Sequence, residues 1–338
     1  MVVRLKDIAD ELGVSIVTVS KALRDRPDIA KATKARILEH VKRMNYRPNL
    51  MARSLVTGRS FLIGLVVPDL IHPFFSEIAK ALSAALRKKD YFLIVSSSEG
   101  DPTLEQDEIE HMLAHRLDAY VVASCQRNPE PLRRIGASGV PLILLDRSFP
   151  DFACHFIGSN DRRVGELATG HLIEQGCRRI AHLRGPATQV GNQRAEAFLE
   201  TMHRHGLPVP EGYVIPGGEG GGSIGEERGK KAMDAVLALS PRPDAIFCFN
   251  DTVAVGAMVR AFEAGLRIPE DIAIVGSGNH HYSNKLRVPL TSVDQRAAEI
   301  GERTARTIIA LLQKKTPARP RSVILEPRLM VRASSQRR

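Results

Sequence analysis

Apolar positions recur at helical spacing near the N-terminus and then change character. Leu5, Ile8, Ala9 and Leu12 fall at i, i+3, i+4 and i+7, which predicts a short helix with one apolar face. Gly13 follows the last of them and suits a helix C-terminus that needs positive φ. Ser15 stands where an N-cap opens a second helix, with Val19, Ala22 and Leu23 on its inner face. Ile16, Val17, Thr18 and Lys21 are left on that helix's start and outer side. Ile37, Leu38, Val41 and Met44 predict a third helix that covers the first two. Two short helices joined by a tight Gly-containing turn form a helix-turn-helix, whose second helix can lie in a DNA major groove. The plain alternative is a helical hairpin with no partner.

Residues 45–60 read as a linker. Pro48 ends the third helix, and Asn49 can cap a brief new one over Leu50, Met51, Ala52, Arg53 and Ser54. Leu55 closes it, and Thr57-Gly58 begins a flexible joint. An exposed leucine beside arginine can wedge into a minor groove and kink the duplex. The alternative is a leucine packed on the following domain.

From Phe61 onward short apolar runs alternate with amphipathic stretches. FLIGLVVP, YFLIVSSS, AYVVAS and PLILLD predict four buried strands, separated by helices near 74–89, 103–115 and 129–138. RRIAHLRG, YVIPGG, DAIFCFN and IAIVGSG predict four more, with helices near 161–176, 192–206, 225–239 and 252–264. Such alternation implies parallel sheets covered on both faces, here as two similar α/β lobes. TSVDQ, a helix near 296–314 and SVILEPRLMV come last and are expected to cross back to complete each lobe. The expected organisation is a helix-turn-helix head at 1–47, a hinge at 48–60 and a core at 61–338. Its first lobe is 61–159 with 292–320, and its second is 160–291 with 321–332. A ligand would sit between the lobes near the carboxyl ends of the strands.

Charge changes the picture more than bulk composition does. Residues 1–60 hold 13 Lys/Arg against 6 Asp/Glu, residues 314–338 hold 8 against 1, and the remainder holds 27 against 31. The positive head suits phosphates, whereas the body is mildly acidic. The C-terminal surplus reads as a chain end at Arg337 and Arg338 rather than a second binding arm. Cys125, Cys154, Cys177 and Cys248 are scattered, which favours reduced thiols in a cytoplasm. Charges and the helix-turn-helix occupy the place of a signal peptide, and no apolar run reaches membrane-span length.

LKDIADELGVSIVTVSKAL, NYRPNLMARSL, PDLIHPFFSEI, IEQGCRRIAHLRGP, FNDTVAVGAM and PEDIAIVG followed by VPLTSVDQ occur in that order. Together they resemble the lactose-repressor/galactose-repressor (LacI/GalR) family of bacterial transcription regulators over essentially the whole chain. The resemblance implies a homodimer with a DNA head, a hinge helix and a core like periplasmic binding proteins. It implies a double-stranded, palindromic DNA operator and a small-molecule effector as partners. Ile16 and Val17 match the positions that open the recognition helix and select bases. Neither side chain donates a hydrogen bond, so apolar contact to thymine methyls is expected. Lys21 matches the next reading position and can donate to guanine. Ser15, Thr18, Ser20, Asn49 and backbone groups beside Leu5 are expected near the backbone phosphates. Leu55 matches the family's inserting leucine, flanked by Ala52 and Arg53. In the core, Phe74, Phe75, Asp146, Asn160, Asp161, Arg194, Asn250, Asp251 and Gln295 match positions that often face the effector. One of the two phenylalanines is equally well read as core.

Two departures from the family pattern bear on the ligand. Gly278 and Asn279 stand where an aspartate pair is usual, and Arg184 stands where a small residue is common. Both favour a negatively charged ligand, such as a sugar acid. Competing signals are weaker. Gly220 to Gly225 spells GxGxxG but lies in a loose glycine run, which reads as a flexible loop rather than a dinucleotide site. His280-His281 reads as effector contact or surface, with no cysteine or carboxylate spaced to complete a metal site. No catalytic motif, metal or cofactor is expected. A solute-binding protein would need a signal peptide in place of the basic head. A nucleotide-using enzyme would need the glycine run to hold pyrophosphate.

Overall fold

The computed structural model describes residues 3–23, 25–46, 54, 58–216, 225–314 and 318–337. The chain divides into two compact units, Met1–Ser60 and Phe61–Arg338. The expectations placed on Asn49, Ala52, Arg53 and Leu55, and on the glycine run through residue 224, lie outside the described residues.

The first unit has α1 (Leu5–Leu12), α2 (Ile16–Leu23) and α3 (Lys31–Arg43). Gly13 adopts φ 63°, and the Val14 amide donates back to the Ala9 carbonyl at 3.0 Å. This left-handed turn satisfies carbonyls at the end of α1 without a Cβ penalty. Ser15 Oγ accepts the Thr18 amide at 3.0 Å and so caps α2. Ile8, Ala9, Val19, Ala22 and Ile37 form the small core, with Leu5, Leu12, Leu23, Val41 and Met44 packed around it. Leu38, expected inside, is exposed. The inward stripe of α3 runs through Ile37, His40, Val41 and Met44, and Leu38 lies about 100° round from Ile37. His40 is buried and lies 2.7 Å from the Glu11 carboxylate.

Among the described residues the second unit contains two six-stranded sheets. The first is built from β1 (Leu62–Val67), β2 (Phe92–Ser97), β3 (Ala119–Val122), β4 (Leu142–Leu145), β5 (His155–Ser159) and β11 (Ser322–Leu325). Its order is β11-β5-β4-β3-β1-β2, with every pairing parallel. The second uses β6 (Ile180–Leu183), β7 (Val214–Ile215), β8 (Ala245–Cys248), β9 (Ala273–Ser277), β10 (Thr291–Asp294) and β12 (Arg328–Met330). Its order is β12-β10-β9-β8-β6-β7, and β12 runs antiparallel to β10. Strands β3, β4, β6, β8 and β9 are buried throughout, as expected of sheets covered on both faces.

Helices α4 (Pro73–Arg87), α5 (Pro102–Ala114) and α6 (Glu130–Ala137) belong to the first lobe. Helices α7 (Asp161–Glu174), α8 (Gln189–Arg204), α9 (Gly225–Ala238) and α10 (Asp251–Glu263) belong to the second. Helix α11 (Ala297–Gln313) returns to pack on α4. Gly301 permits that approach, because a Cβ there would press on the Ile78 carbonyl at 2.5 Å. Among the described residues no helix is long and apolar enough to cross a membrane.

Two sequence expectations need correction. Strand β5 was not foreseen, because HFIGS is short and follows an irregular stretch. The late crossings also differ from the expected lobe boundaries. Strand β10 pairs with β9 in the second sheet, whereas β11 pairs with β5 in the first. Residues 291–294 therefore belong to the second lobe and 322–325 to the first. Each late strand adds to the edge its own sheet leaves open. The chain thus passes between lobes three times, near residues 160, 295 and 327.

Candidate functional site

On the first unit, α2 presents an outward surface of mixed character. Ile16 is 46% exposed and Val17 61% exposed, although both are apolar. They stand on the first turn of α2, next to the partly buried Thr18 and Ser20. Lys21 Nζ lies 2.5 Å from the Asp28 carboxylate, with both side chains about half exposed. Such an exposed pair is screened by solvent, so Lys21 can leave Asp28 for another acceptor at little cost. Ser15 spends its hydroxyl on capping and on Thr18 Oγ1, 2.8 Å away. Leu5 packs partly into the core at the first turn of α1, which leaves its contribution to the backbone N–H groups there.

On the second unit, a cleft of ≈ 340 Å³ opens between the lobes at the carboxyl ends of the strands. Phe74, Phe75, Asp146, Arg184, Arg194, Asn250 and Gln295, all expected there, line it. Both phenylalanines are buried and meet edge to face with centroids 5.2 Å apart. They wall the cleft and belong to the first lobe's core at once.

Arg194 anchors the floor. Its Nε and Nη2 donate to Asp161 Oδ1 at 2.8 and 2.6 Å. Its Nη1 donates to the Phe249 carbonyl at 2.6 Å and to Ser277 Oγ at 2.9 Å. The guanidinium also lies 4.6 Å from the Phe249 ring centroid. Four of its five N–H donors are thus placed by the second lobe. Burial pushes the Asp161 carboxyl up, and the Arg194 charge and hydrogen bonds oppose that shift. Asp146 stands nearby in the left-handed region at φ 61°. Desolvation, and then the like charge of Asp161, hold its carboxyl well above the usual range.

Four expected residues do not line the cleft. Asp161 is the counter-ion just described. Asn160 sits at the first crossing, where its Oδ1 accepts the Arg163 amide at 3.1 Å and its Nδ2 donates to Glu326 at 3.0 Å. It therefore ties the first crossing to the third. Asp251 is fully buried and accepts from Ser283 Oγ and Ser292 Oγ, both at 2.6 Å, and from the His280 amide at 3.1 Å. Asn279 Oδ1 accepts from Arg332 at 2.5 Å, and its backbone amide donates to Ser292 Oγ at 2.9 Å. These two hold the second lobe's own loops.

Other residues join the site without having been expected. His72 caps α4 and lines the cleft. Asn250 Oδ1 is taken by the Val253 amide and Thr252 Oγ1, both at 2.9 Å, so its Nδ2 faces His72 Nε2 at 3.1 Å. That bond crosses from the second lobe to the first. On another side, the Ser148 amide donates to Gln189 Oε1 at 2.9 Å, also across the lobes. Nothing local marks His72 or Gln189 as cross-lobe partners; only the end of a strand or the start of a helix hints at the cleft. Cys125 also lines the cleft, but burial and then Glu105 push its thiol up to about 12. A protonated thiol is no nucleophile at neutral pH.

Residues 4–49 match the family described as bacterial regulatory proteins, lacI family, and residues 169–335 match the periplasmic binding protein-like domain. The ribose operon repressor of Escherichia coli (strain K12) is 31% identical over 334 residues, covering 98% of this chain and 99% of its own. The chain belongs to the LacI family. The HTH-type transcriptional repressor PurR of Actinobacillus pleuropneumoniae serotype 3 (strain JL03) is 29% identical to this LacI-family chain, covering 98% of it and 97% of its own length. A solved transcriptional regulator CelR–cellobiose complex superposes with a TM-score of 0.74 at 26% identity, covering 98% and 99% of the two chains. The lac repressor dimer bound to operator and the anti-inducer ONPF shares the fold, with a TM-score of 0.85 at 24% identity and 99% of both chains covered.

The buried histidines of this LacI-family core set a pH dependence. Burial lowers His72, His182 and His280 from 6.5 to about 4, with His280's charge also acting on His72. The unfolded chain therefore binds more protons between these values, and stability is lost as pH falls from about 6.5 towards 4. Neither ring nitrogen of His280 has a hydrogen-bond partner among the described residues. His280→Phe should therefore fold and make the acid limb shallower by up to one proton, about 1.4 kcal/mol per pH unit. Urea unfolding at several pH values measures this slope. An unchanged slope would mean that His280 titrates normally in the folded chain.

Proposed function

We propose that this LacI-family chain is a sequence-specific transcriptional repressor that binds a palindromic operator as a homodimer and responds to a small metabolite in the interlobe cleft. The observation that carries the reading is the pairing, in one chain, of a basic helix-turn-helix with exposed Ile16, Val17 and Lys21 and a two-lobed, polar-floored cleft. It is a regulator rather than an enzyme, and it acts in the cytoplasm, where its operator is.

On DNA, α2 enters the major groove. Ile16 and Val17 meet thymine methyls, and Lys21 leaves Asp28 to donate to guanine. Thr18, Ser20 and the start of α1 at Leu5 hold phosphates, while Ser15 keeps the helix start rigid. Asn49, Ala52, Arg53 and Leu55 form the hinge, whose leucine pries open the operator centre. Homodimerisation is supported by apolar surface at one edge of the first sheet, where Phe92 and Ile94 of the edge strand β2 are 52% and 38% exposed.

The ligand is a sugar or, better, a sugar acid. Four arginines line the cleft, Arg147, Arg184, Arg194 and Arg228, against the carboxylates of Asp69, Glu99 and Asp146. Asp146 is held towards its neutral form, which tips the balance further towards positive charge. Arg184 donates from one end to Asn192, while its buried Nε has no partner among the described residues. An unpartnered guanidinium N–H beside the cleft suits a carboxylate. Asn279, which stands where the family usually has an aspartate, does not line the cleft and lends the acid no support.

Two experiments test these readings. DNA selected from a random pool by the full chain should contain twofold-symmetric sites bound with steep salt dependence. Lys21→Ala should relax one base position per half-site at a cost of about 1–3 kcal/mol. Enrichment of no symmetric site would reject the repressor reading. Calorimetry against neutral sugars and sugar acids tests the cleft. A sugar acid should bind more tightly, and Arg184→Ala should weaken it by about tenfold to a hundredfold. Tight binding of a neutral sugar alone would reject the acid.

A further inference from the structure

The basic surplus at residues 314–338 is used by neither the DNA head nor the interlobe cleft. The structure gathers part of it around a second cavity of ≈ 280 Å³ in the first lobe. Lys314, Arg319 and Arg321 meet Arg303 and Arg306 of α11 there, and His155 of β5 joins them. Ile157, Leu311 and Val323 supply an apolar lining. No lining residue is acidic, and none is shared with the interlobe cleft.

The charges are poorly compensated. Arg303 and Arg306 lean on Glu299 and Glu302 one turn back, at 3.3 and 3.6 Å, in exposed pairs of little strength. Lys314, Arg319 and Arg321 form no ion pair among the described residues. The C-terminus of α11 adds about half a negative charge, far less than five cations. His155 reports the same field: burial lowers it first, then the charges of Lys314 and Arg321. Its Nδ1 accepts the Arg321 amide at 3.3 Å, which leaves Nε2 as the donor nitrogen.

We propose that this cavity is a second ligand site, for a small phosphate-bearing molecule whose carbon skeleton rests on the apolar lining. Several guanidinium forks and an ammonium around one cavity match a dianion with three acceptor oxygens better than a single carboxylate. The cavity's size suits a metabolite rather than a folded domain. The site is independent of the cleft ligand, so the chain can register two metabolites.

Calorimetry on the full chain at about 150 mM KCl tests this with inorganic phosphate, pyrophosphate and glucose 6-phosphate as probes, and potassium gluconate as the non-phosphate control. At least one phosphate probe should bind with Kd below about 1 mM, and gluconate should not compete with it. Arg319→Glu/Arg321→Glu should weaken that binding at least about tenfold, whereas Arg184→Ala in the cleft should leave it unchanged. If the double variant melts abnormally, Arg303→Gln/Arg306→Gln on the exposed face of α11 should give the same loss. A phosphoserine peptide is the remaining arm. The proposal fails if no phosphate probe binds, if only the peptide binds, or if Arg184→Ala abolishes the binding while the cavity variants keep it.

Discussion

A buried ion pair underlies the arrangement of the cleft. Arg194 and Asp161 are 3% and 4% exposed at the side chain, so each has lost most of its water. Removing an ion from water costs several kcal/mol, and the loss is recovered only with excellent geometry and further hydrogen bonds. Here both are present: two N–H groups converge on one carboxylate oxygen, while Phe249 and Ser277 take the donors at the far end. Deleting either partner would strand the other charge and cost about 3–5 kcal/mol. The pair draws together the start of α7, the helix α8 and the ends of β8 and β9. That is where a parallel sheet leaves a crevice for a ligand.

The crevice lies between two lobes that are joined by few connections. Three strands of chain join the lobes, and Asn160 bonds to Glu326 between two of them. Away from these crossings, among the described residues, the lobes touch through few polar groups, His72 with Asn250 and Ser148 with Gln189. The first is one neutral hydrogen bond and the second is three, each worth about 0.5–1.5 kcal/mol. A ligand that bonds to both lobes can therefore compete with them on equal terms. It shifts the lobes only by as much as it prefers one arrangement over the other. The DNA head needs no such balance. Its core is small but closed, its turn is set by Gly13, and α2 buries Val19 and Ala22 while Ile16 and Val17 stay exposed.

Periodicity made most of this legible in advance. The helices of the head, the strand–helix alternation and the cleft residues Phe74, Arg194 and Gln295 all follow from local pattern or from the resemblance to the LacI/GalR family. What escaped depends on partners distant in sequence. Asp251 looks like a ligand-binding aspartate beside a helix start, yet its hydroxyl partners come from Ser283 and Ser292. Asn279 stands beside the late strand but is held by Arg332. The order of the late strands could not be read locally either, since β10 and β11 are only four residues each and only pairing assigns them to sheets. Leu38 failed for a simpler reason: an apolar residue one position from the buried stripe of α3 is carried to the surface.

The central claim is that occupancy of the cleft and occupancy of DNA are coupled. Linkage requires that coupling to be reciprocal. The most direct measurement is the affinity of the tightest cleft metabolite from a thermal-shift screen, titrated with and without saturating symmetric DNA site, beside the DNA affinity with and without that metabolite. The account predicts that both ratios are equal and lie between about five and 150. A metabolite that binds the cleft tightly while leaving DNA affinity unchanged would contradict it.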